Sequence, residues 1–424
     1  MIRDIRTVMS GALVAQVLGL LVLPLLTRLF DPAAFGHFAA YQAGLLILNV
    51  CACMRYDQAI LVAASARETV RIFQVCVVVA AFISFMVFLI ALLAPFAGLE
   101  GSSYQGLSLY WFVPATFVSG TALAGSAVLT RLGAFSVSAW SRAWQAVANA
   151  SVSVATGLIA PVAGGLIAAD ILGKLAALPL VICRLRKSGA DNLLQPAARD
   201  LVATAKRFRN FPQLSVLGGL LNNGGTFITP FLMFSLYGAT AAGQYALVDR
   251  AISLPMGLIL LAVSQVFSSH FARLLRESPQ GALPYALTLV RNAALLGLAP
   301  GIIGVVAAPH LFSFVFGAEW AVAGQYARIL ALGYYSSLVM GPINTALVVM
   351  ERQHWQLAWE GGRLLLLLAA WAGTIWLALS PTLALATFTF ATVVANGTFV
   401  LIALDQINKH ARRTASAALV EELH

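Results

Sequence analysis

The sequence predicts an all-α integral membrane protein: twelve transmembrane helices in two pseudo-symmetric six-helix bundles. Three observations lead there. The chain of 424 residues is 60% hydrophobic and 10% charged, with a mean hydropathy of +0.87, whereas soluble domains carry about one-quarter charged residues. Apolar stretches of about 20 residues, each able to cross roughly 30 Å of hydrocarbon as a helix, recur along its whole length. Short polar breaks recur at matched positions in its two halves.

In order, the twelve stretches fall near 9–29, 38–63, 72–95, 106–129, 137–159, 162–183, 213–236, 243–268, 285–309, 323–349, 358–379 and 382–404. Almost nothing is left for a soluble domain. Arg3 and Arg6 precede the first stretch as in a signal peptide. The apolar run from Met9 to Leu29 is nevertheless too long for one and lacks a small-residue cleavage site, so it reads as the first span. Cys51, Cys53, Cys76 and Cys183 lie within or at the ends of spans. The pair Cys51 and Cys53 has no His or Cys cluster at metal spacing, which argues against a metal site or disulfide framework, and no cofactor is implied.

Basic residues stay on the cytoplasmic side during insertion. With the N-terminus inside, 18 of the 26 Lys and Arg fall on inner segments, Arg28 alone falls on an outer loop, and seven lie within spans or near their ends. Both termini are therefore expected in the cytoplasm, after an even number of crossings. The net charge of +10 needs no nucleic acid to explain it. A solvated inner surface facing anionic lipid suffices.

The longest connector, from Arg184 to Pro212, is polar and basic, and it separates six spans from six. The expected organisation is a bundle over 1–190, a cytoplasmic linker over 191–212, a second bundle over 213–404 and a cytoplasmic tail over 405–424. Aligning Pro24 with Pro230 also matches Gln16 with Asn222 and Gly19 with Gly225; with one residue of drift, Gly36-His37-Phe38-Ala39 matches Gly243-Gln244-Tyr245-Ala246. A six-span repeat crosses the membrane an even number of times, so its copies are related by an axis along the membrane normal, and the bundles are expected to face each other. Transporters place substrate at such a seam and mark it with Gly- or Pro-interrupted helices. Here those are the first span, with Gly11, Gly19 and Pro24, and the seventh, with Asn222, Asn223, Gly224, Gly225 and Pro230. Close helix packing is the plainer use of such glycines.

A charge deep in a span costs about 2.5–3.5 kcal/mol on insertion scales, so such groups face a protein interior or a water-filled path. Asp170 and Lys174 lie in the sixth span at i, i+4 spacing that suits an ion pair. Arg55 and Asp57 lie in the second span, Arg142 in the fifth, Asp249 and Arg250 in the eighth, Arg328 in the tenth, and Glu360 and Arg363 in the eleventh. Arg55, Arg142 and Arg363 could instead snorkel to the inner headgroups, as Arg291 does by position. Asp170 and Lys174 could form a structural clasp. The bases outnumber the acids, and a cavity of that sign attracts an anion. In that setting Arg55 offers a fork of donors to a phosphate while Asp57 holds it or accepts a proton. Tyr56, Trp140, Trp144, Trp355 and Trp359 could stack on sugars, although anchoring at the membrane interface is the ordinary role of such tryptophans.

Several stretches resemble one known family. They are Leu23-Pro24-Leu25-Leu26-Thr27-Arg28-Leu29 with Asp31-Pro32 and Phe35-Gly36-His37-Phe38; Arg55 to Leu61; Gly243 to Arg250 leading to Pro255; and Phe316-Gly317-Ala318-Glu319-Trp320 with Ala323-Gly324. In this order along nearly the whole chain, they resemble Wzx-type oligosaccharide flippases, polysaccharide transporters of the MOP exporter superfamily, whose architecture is MATE-like. The resemblance implies a multi-pass protein of the bacterial inner membrane that flips undecaprenyl-diphosphate-linked oligosaccharide for O-antigen, lipopolysaccharide or exopolysaccharide synthesis. It implies alternating access around a cationic cavity, with the lipid tail left in the bilayer. Arg55, Lys174, Arg250, Arg328 and Arg363, with Asn222 and Asn223, would then bind substrate. Asp57, Asp170, Asp249 and Glu360 are the candidate sites for H+ or Na+ coupling. The expected partners are the lipid-linked oligosaccharide, the bilayer and polysaccharide polymerase machinery.

Three other readings compete. A membrane polymerase or ligase needs catalytic groups gathered outside, but the outer connectors are short, and only His37 and His310 of the six histidines fall there, in separate halves. A drug or lipid-precursor exporter of the same superfamily fits the composition nearly as well. A structural scaffold would not need a net basic set of charges inside the membrane.

Overall fold

The computed structural model describes residues 2–96, 108–187 and 198–421, and among them there is no β-strand. The helices are α1 (Ile2–Leu29), α2 (Pro32–Ala52), α3 (Tyr56–Leu61), α4 (Ala66–Leu93), α5 (Phe112–Arg131), α6 (Phe135–Ile159) and α7 (Ala163–Lys187). After the basic connector come α8 (Ala198–Arg207), α9 (Val216–Glu277), α10 (Ala282–Val306), α11 (Ala308–Phe316), α12 (Ala321–Met340), α13 (Ala346–Val349), α14 (Gln353–Trp376) and α15 (Pro381–Glu421).

Among the described residues, seven helical stretches are long and apolar enough to cross a bilayer, and a shorter apolar helix covers Leu13–Leu29. The expected fifth, tenth and eleventh spans are α6, α12 and α14, of 25, 20 and 24 residues. At a rise of 1.5 Å per residue their length suffices. Polar side chains such as Arg142, Gln145, Arg328, Glu360 and Arg363 lower their hydropathy.

Four stretches differ in detail from the expected continuous spans. The second is broken, because Met54 (φ 46) and Arg55 (φ 61) adopt left-handed backbone between α2 and α3. The seventh and eighth run together as α9, interrupted at Gly238 (φ 82, ψ 177), a conformation open to glycine and strained for an L side chain. The tenth stops at Met340, and Pro342 lies in a 3-10 turn before α13. The connector is not wholly irregular, since α8 is a short amphipathic helix within it. At the C-terminal end α15 continues through 405 to Glu421, so the expected tail prolongs the last helix.

The chain forms two compact units, Met1–Ala246 and Leu247–His424. This division lies beyond the connector at which the sequence suggested a boundary. The physical reason is that α8 and the first part of α9 lie against the first unit. Tyr56 donates from its hydroxyl to the Ala205 carbonyl at 3.1 Å, and Leu201, Ala205, Phe208 and Phe211 pack on a cluster that includes Ile60, Ile72, Leu129 and Leu185. In this unit α6 packs between α1 and α7, and α4 packs on α5. Gly120 allows the second of these to close with Ala52, since a Cβ there would stand 3.0–3.3 Å from Ala80, Ala52 and Cys53. In the second unit α15 packs on α12 and α14, around a core that includes Phe267, Phe271, Ile343, Trp359 and Phe399.

Candidate functional site

Asp170 anchors the clearest polar cluster of the first unit. One turn along α7, the Lys174 ammonium lies 2.6 Å from Asp170 Oδ2. The Tyr41 hydroxyl of α2 donates to the same oxygen at 3.0 Å, and Gln42 Nε2 reaches Oδ1 at 3.5 Å. Tyr41 is 0% exposed and Asp170 9%, so the carboxylate is held by donors in a nearly dry setting. The local sequence makes this arrangement possible. Gly173 lets α7 close on α6 beside the Gln145 carbonyl and Asn149, while the i, i+4 spacing puts Lys174 over Asp170. A buried carboxylate with an ammonium, a phenol and an amide is polar, satisfied and rearrangeable. If the ammonium leaves for another anion, the two neutral donors remain.

Arg55 and Asp57 sit at the break between α2 and α3. Asp57 is in the first turn of α3 and 8% exposed, and its Oδ1 has no hydrogen-bond partner. The sequence suggested that Asp57 holds Arg55, but the two side chains do not approach within ion-pair distance. Instead the Arg55 guanidinium lies against Gly219 of α9, where a Cβ would collide with it, and its Nε also lacks a hydrogen-bond partner. Two buried polar atoms without partners at one helix break leave hydrogen-bonding capacity open there.

In the second unit, the Tyr334 hydroxyl donates to Asp249 Oδ1 at 2.9 Å. On α14, Gln356 Nε2 donates to Glu360 at 3.1 Å, and the Arg363 guanidinium stands 5.7 Å from the centre of the Trp359 ring. Trp359 is fixed by donating Nε1–H to the Ala395 carbonyl at 2.8 Å, and it is 7% exposed. It therefore packs in the core of the second unit and presents its ring to the Arg363 cation. Asn396 of α15 bridges the Ser336 and Ser337 hydroxyls at 2.9 and 3.0 Å.

Of the expected substrate residues, Lys174 stands in a defined polar cluster, Arg363 lies near the Trp359 ring, Arg55 and Arg250 are half-buried, and Arg328 is exposed on α12. Asn222 and Asn223 lie on α9, but their side chains are outside the described residues. Of the coupling candidates, Asp170, Asp249 and Glu360 each accept a side-chain hydrogen bond. The sequence reading missed Tyr41, Gln42, Tyr334 and Asn396. Neutral polar residues in the middle of apolar spans were their signal, and a search for charges passes over it. Among the described residues, no three His, Cys, Asp or Glu side chains gather as a metal site would need.

Comparison with known proteins adds family and fold. The family described as polysaccharide biosynthesis protein matches residues 25–325. The succinoglycan biosynthesis transport protein ExoT of Rhizobium meliloti (strain 1021) is 30% identical over 132 residues, which span 31% of this chain and 26% of that relative. Among solved structures, the lipid II flippase MurJ in an inward closed conformation superposes with a TM-score of 0.68 at 13% identity, covering 97% of this chain and 91% of that one. An inward-facing multidrug resistance MATE family transporter of the MOP superfamily gives 0.63 at 14% identity, over 95% and 96%. At such identities these two similarities show the fold alone. It is the all-helical, multi-pass fold that the sequence predicted.

Proposed function

The chain belongs to the polysaccharide biosynthesis protein family, and from that premise we propose that it flips undecaprenyl-diphosphate-linked oligosaccharide across the bacterial inner membrane for surface polysaccharide synthesis. The observation that carries this reading beyond the family is the buried Asp170–Lys174–Tyr41 cluster. A transporter of an anionic headgroup needs cations that survive inside the membrane without substrate. Lys174 meets that need, because Asp170 neutralises it in the resting site. An arriving diphosphate competes with Asp170 for the ammonium. Tyr41 and Gln42 keep the released carboxylate solvated, and uptake of H+ or Na+ would neutralise it. Arg55 of the first unit and Arg250, Arg328 and Arg363 of the second are the further cations that this reading offers the substrate, and the lipid tail stays in the bilayer while access alternates. ExoT is a succinoglycan biosynthesis transport protein and MurJ a lipid II flippase, which supports a carrier and not an enzyme.

Deleting the gene should abolish the surface polysaccharide and accumulate its lipid-linked repeat unit, with rescue by the wild type and not by Lys174→Ala or Arg55→Ala. Normal polysaccharide with hypersensitivity to drugs would favour the exporter reading, which the MATE fold keeps in play.

A further inference from the structure

Within the second unit, Gly297, Gly301 and Gly304 lie along one face of α10 against α12. A Cβ on Gly297 would collide with Leu338, one on Gly301 would stand 3.5 Å from the Tyr335 ring, and one on Gly304 would stand 3.2 Å from the Ala331 methyl. The two helices therefore run antiparallel in even register, and a furrow of about 270 Å³ opens between them. Its floor is Gly301, Ala331 and Tyr335, whose hydroxyl donates to the Ala294 carbonyl at 3.3 Å and so pins the ring. Its rims include Ile302 and Val306 on one side and Leu332 on the other, all exposed. Apart from the tyrosine hydroxyl, every side chain that lines it is apolar. In a chain that spans a bilayer, exposed rims of this kind meet lipid tails, which are as apolar as leucine.

Arg328 stands at one end of this furrow. It shares a stripe of α12 with Leu332 and Tyr335, at i, i+4 and i+7. Carrying the helix register one turn further puts it level with Ala307, where α10 ends. It is then about 5 Å along the axis from the nearest lining residue of its own helix, at a rise of 1.5 Å per residue. Its side chain is exposed, and among the described residues it has neither a hydrogen-bond nor an ion-pair partner. A bare guanidinium at the edge of hydrocarbon is costly, and a phosphate at the head of an apolar chain relieves that cost through paired N–H···O bonds. We propose that the furrow and Arg328 form a docking site for the polyprenyl diphosphate end of the substrate lipid. The chain lies between α10 and α12, and the diphosphate meets the guanidinium. Two features favour this lipid over a bilayer phospholipid. A single furrow with a rim on each side takes one chain, and a polyprenyl lipid has one where a phospholipid has two. A diphosphate also brings more negative charge to one cation than a phosphodiester does. The expected orientation, with both termini in the cytoplasm, turns the end of α10 toward the outer leaflet, so the site receives the lipid after its headgroup has crossed.

The inference rests on the transport reading for the identity of the lipid, but docking can be measured without transport. The purified full chain, in nanodiscs of phosphatidylethanolamine and phosphatidylglycerol, is irradiated with a polyprenyl diphosphate carrying a diazirine midway along its chain, and the labelled peptides are located by mass spectrometry. Label on the wild type should concentrate on 298–306 and 331–335. Arg328→Ala should reduce that labelling by about tenfold or more, the scale of one charge-assisted bond to phosphate, while Arg328→Lys keeps most of it. Gly301→Leu, whose added side chain enters the furrow, should reduce it as well. Gly373→Leu, on α14 where a Cβ meets nothing within 4 Å, should leave it unchanged. Unlabelled undecaprenyl diphosphate should displace the probe, whereas raising the phosphatidylglycerol fraction of the nanodisc should not. Wild-type label that falls elsewhere overturns the site without any variant. So does labelling indifferent to either Arg328→Ala or Gly301→Leu, and equal displacement by phosphatidylglycerol overturns the choice of lipid. Failure here leaves the deletion-strain assay standing, and a failed deletion assay leaves this labelling result intact.

Discussion

Replacing Lys174 with alanine separates a carrier residue from a clasp. The Lys174–Asp170 bond is 2.6 Å long, with side chains 16% and 11% exposed. Removing one partner of a buried pair costs about 3–5 kcal/mol in soluble interiors, because the other charge stays behind unpaired. Two things lower that figure here. Asp170 keeps the Tyr41 hydroxyl at 3.0 Å, and a chain unfolded within the bilayer finds other polar partners, which reduces coupling energies between membrane helices. The single variant should therefore lose about 2–3 kcal/mol of stability. The double variant Lys174→Ala with Asp170→Ala carries no orphaned charge, so its loss should be smaller than that of Lys174→Ala alone. Transport should behave in the opposite way. The double variant should remain unable to restore surface polysaccharide, because the cation that meets the diphosphate is gone. Stability is read by unfolding in nanodiscs, and transport by complementation of a deletion strain at matched membrane abundance. A double variant that is both stable and fully active would reduce the pair to a structural clasp and refute the reasoning.

Other substitutions follow from the same contacts. Tyr41→Phe should cost about 1–2 kcal/mol in nanodisc unfolding, since it removes one charge-assisted donor from Asp170 and keeps the ring. Trp359→Phe should cost about 1–2 kcal/mol, through the lost bond to the Ala395 carbonyl and the weaker ring face under Arg363. Gly120→Val should destabilise the first unit by about 1–3 kcal/mol, because Ala80, Ala52 and Cys53 already bound the space. Arg71→Ala should change unfolding by less than about 1 kcal/mol even though it breaks the bond to Asp200, because both side chains are about half exposed.

How much of this was legible in the sequence depends on which force decides each feature. Segments from Pro32 to Ala52 or from Ala66 to Leu93 announce themselves, because hydrocarbon demands a continuous apolar helix and composition records that demand. The pair Asp170 and Lys174 was legible for a similar reason: a helix places i and i+4 together whatever its surroundings. The break at Met54 and Arg55 was not, because neither is glycine or proline, and the left-handed turn is imposed by the packing of α3 against α4 and α5. Tyr41 was equally hidden as a partner of Asp170, since that bond joins residues far apart in the chain. The glycine repeat at Gly36 and Gly243 was visible as a pattern, but the close packing of Gly36 on Ala239 and of Gly243 on Pro32 appears only when the helix starts are placed in space.

The most direct test of the central claim is headgroup translocation by the purified protein in liposomes, using undecaprenyl-diphosphate-linked repeat unit and an impermeant glycan-modifying reagent outside. Starting with substrate confined to the inner leaflet, the wild type should expose it to the reagent, and Lys174→Ala should leave it protected. Equal protection in vesicles with and without the wild-type protein, at confirmed reconstitution, would contradict the account.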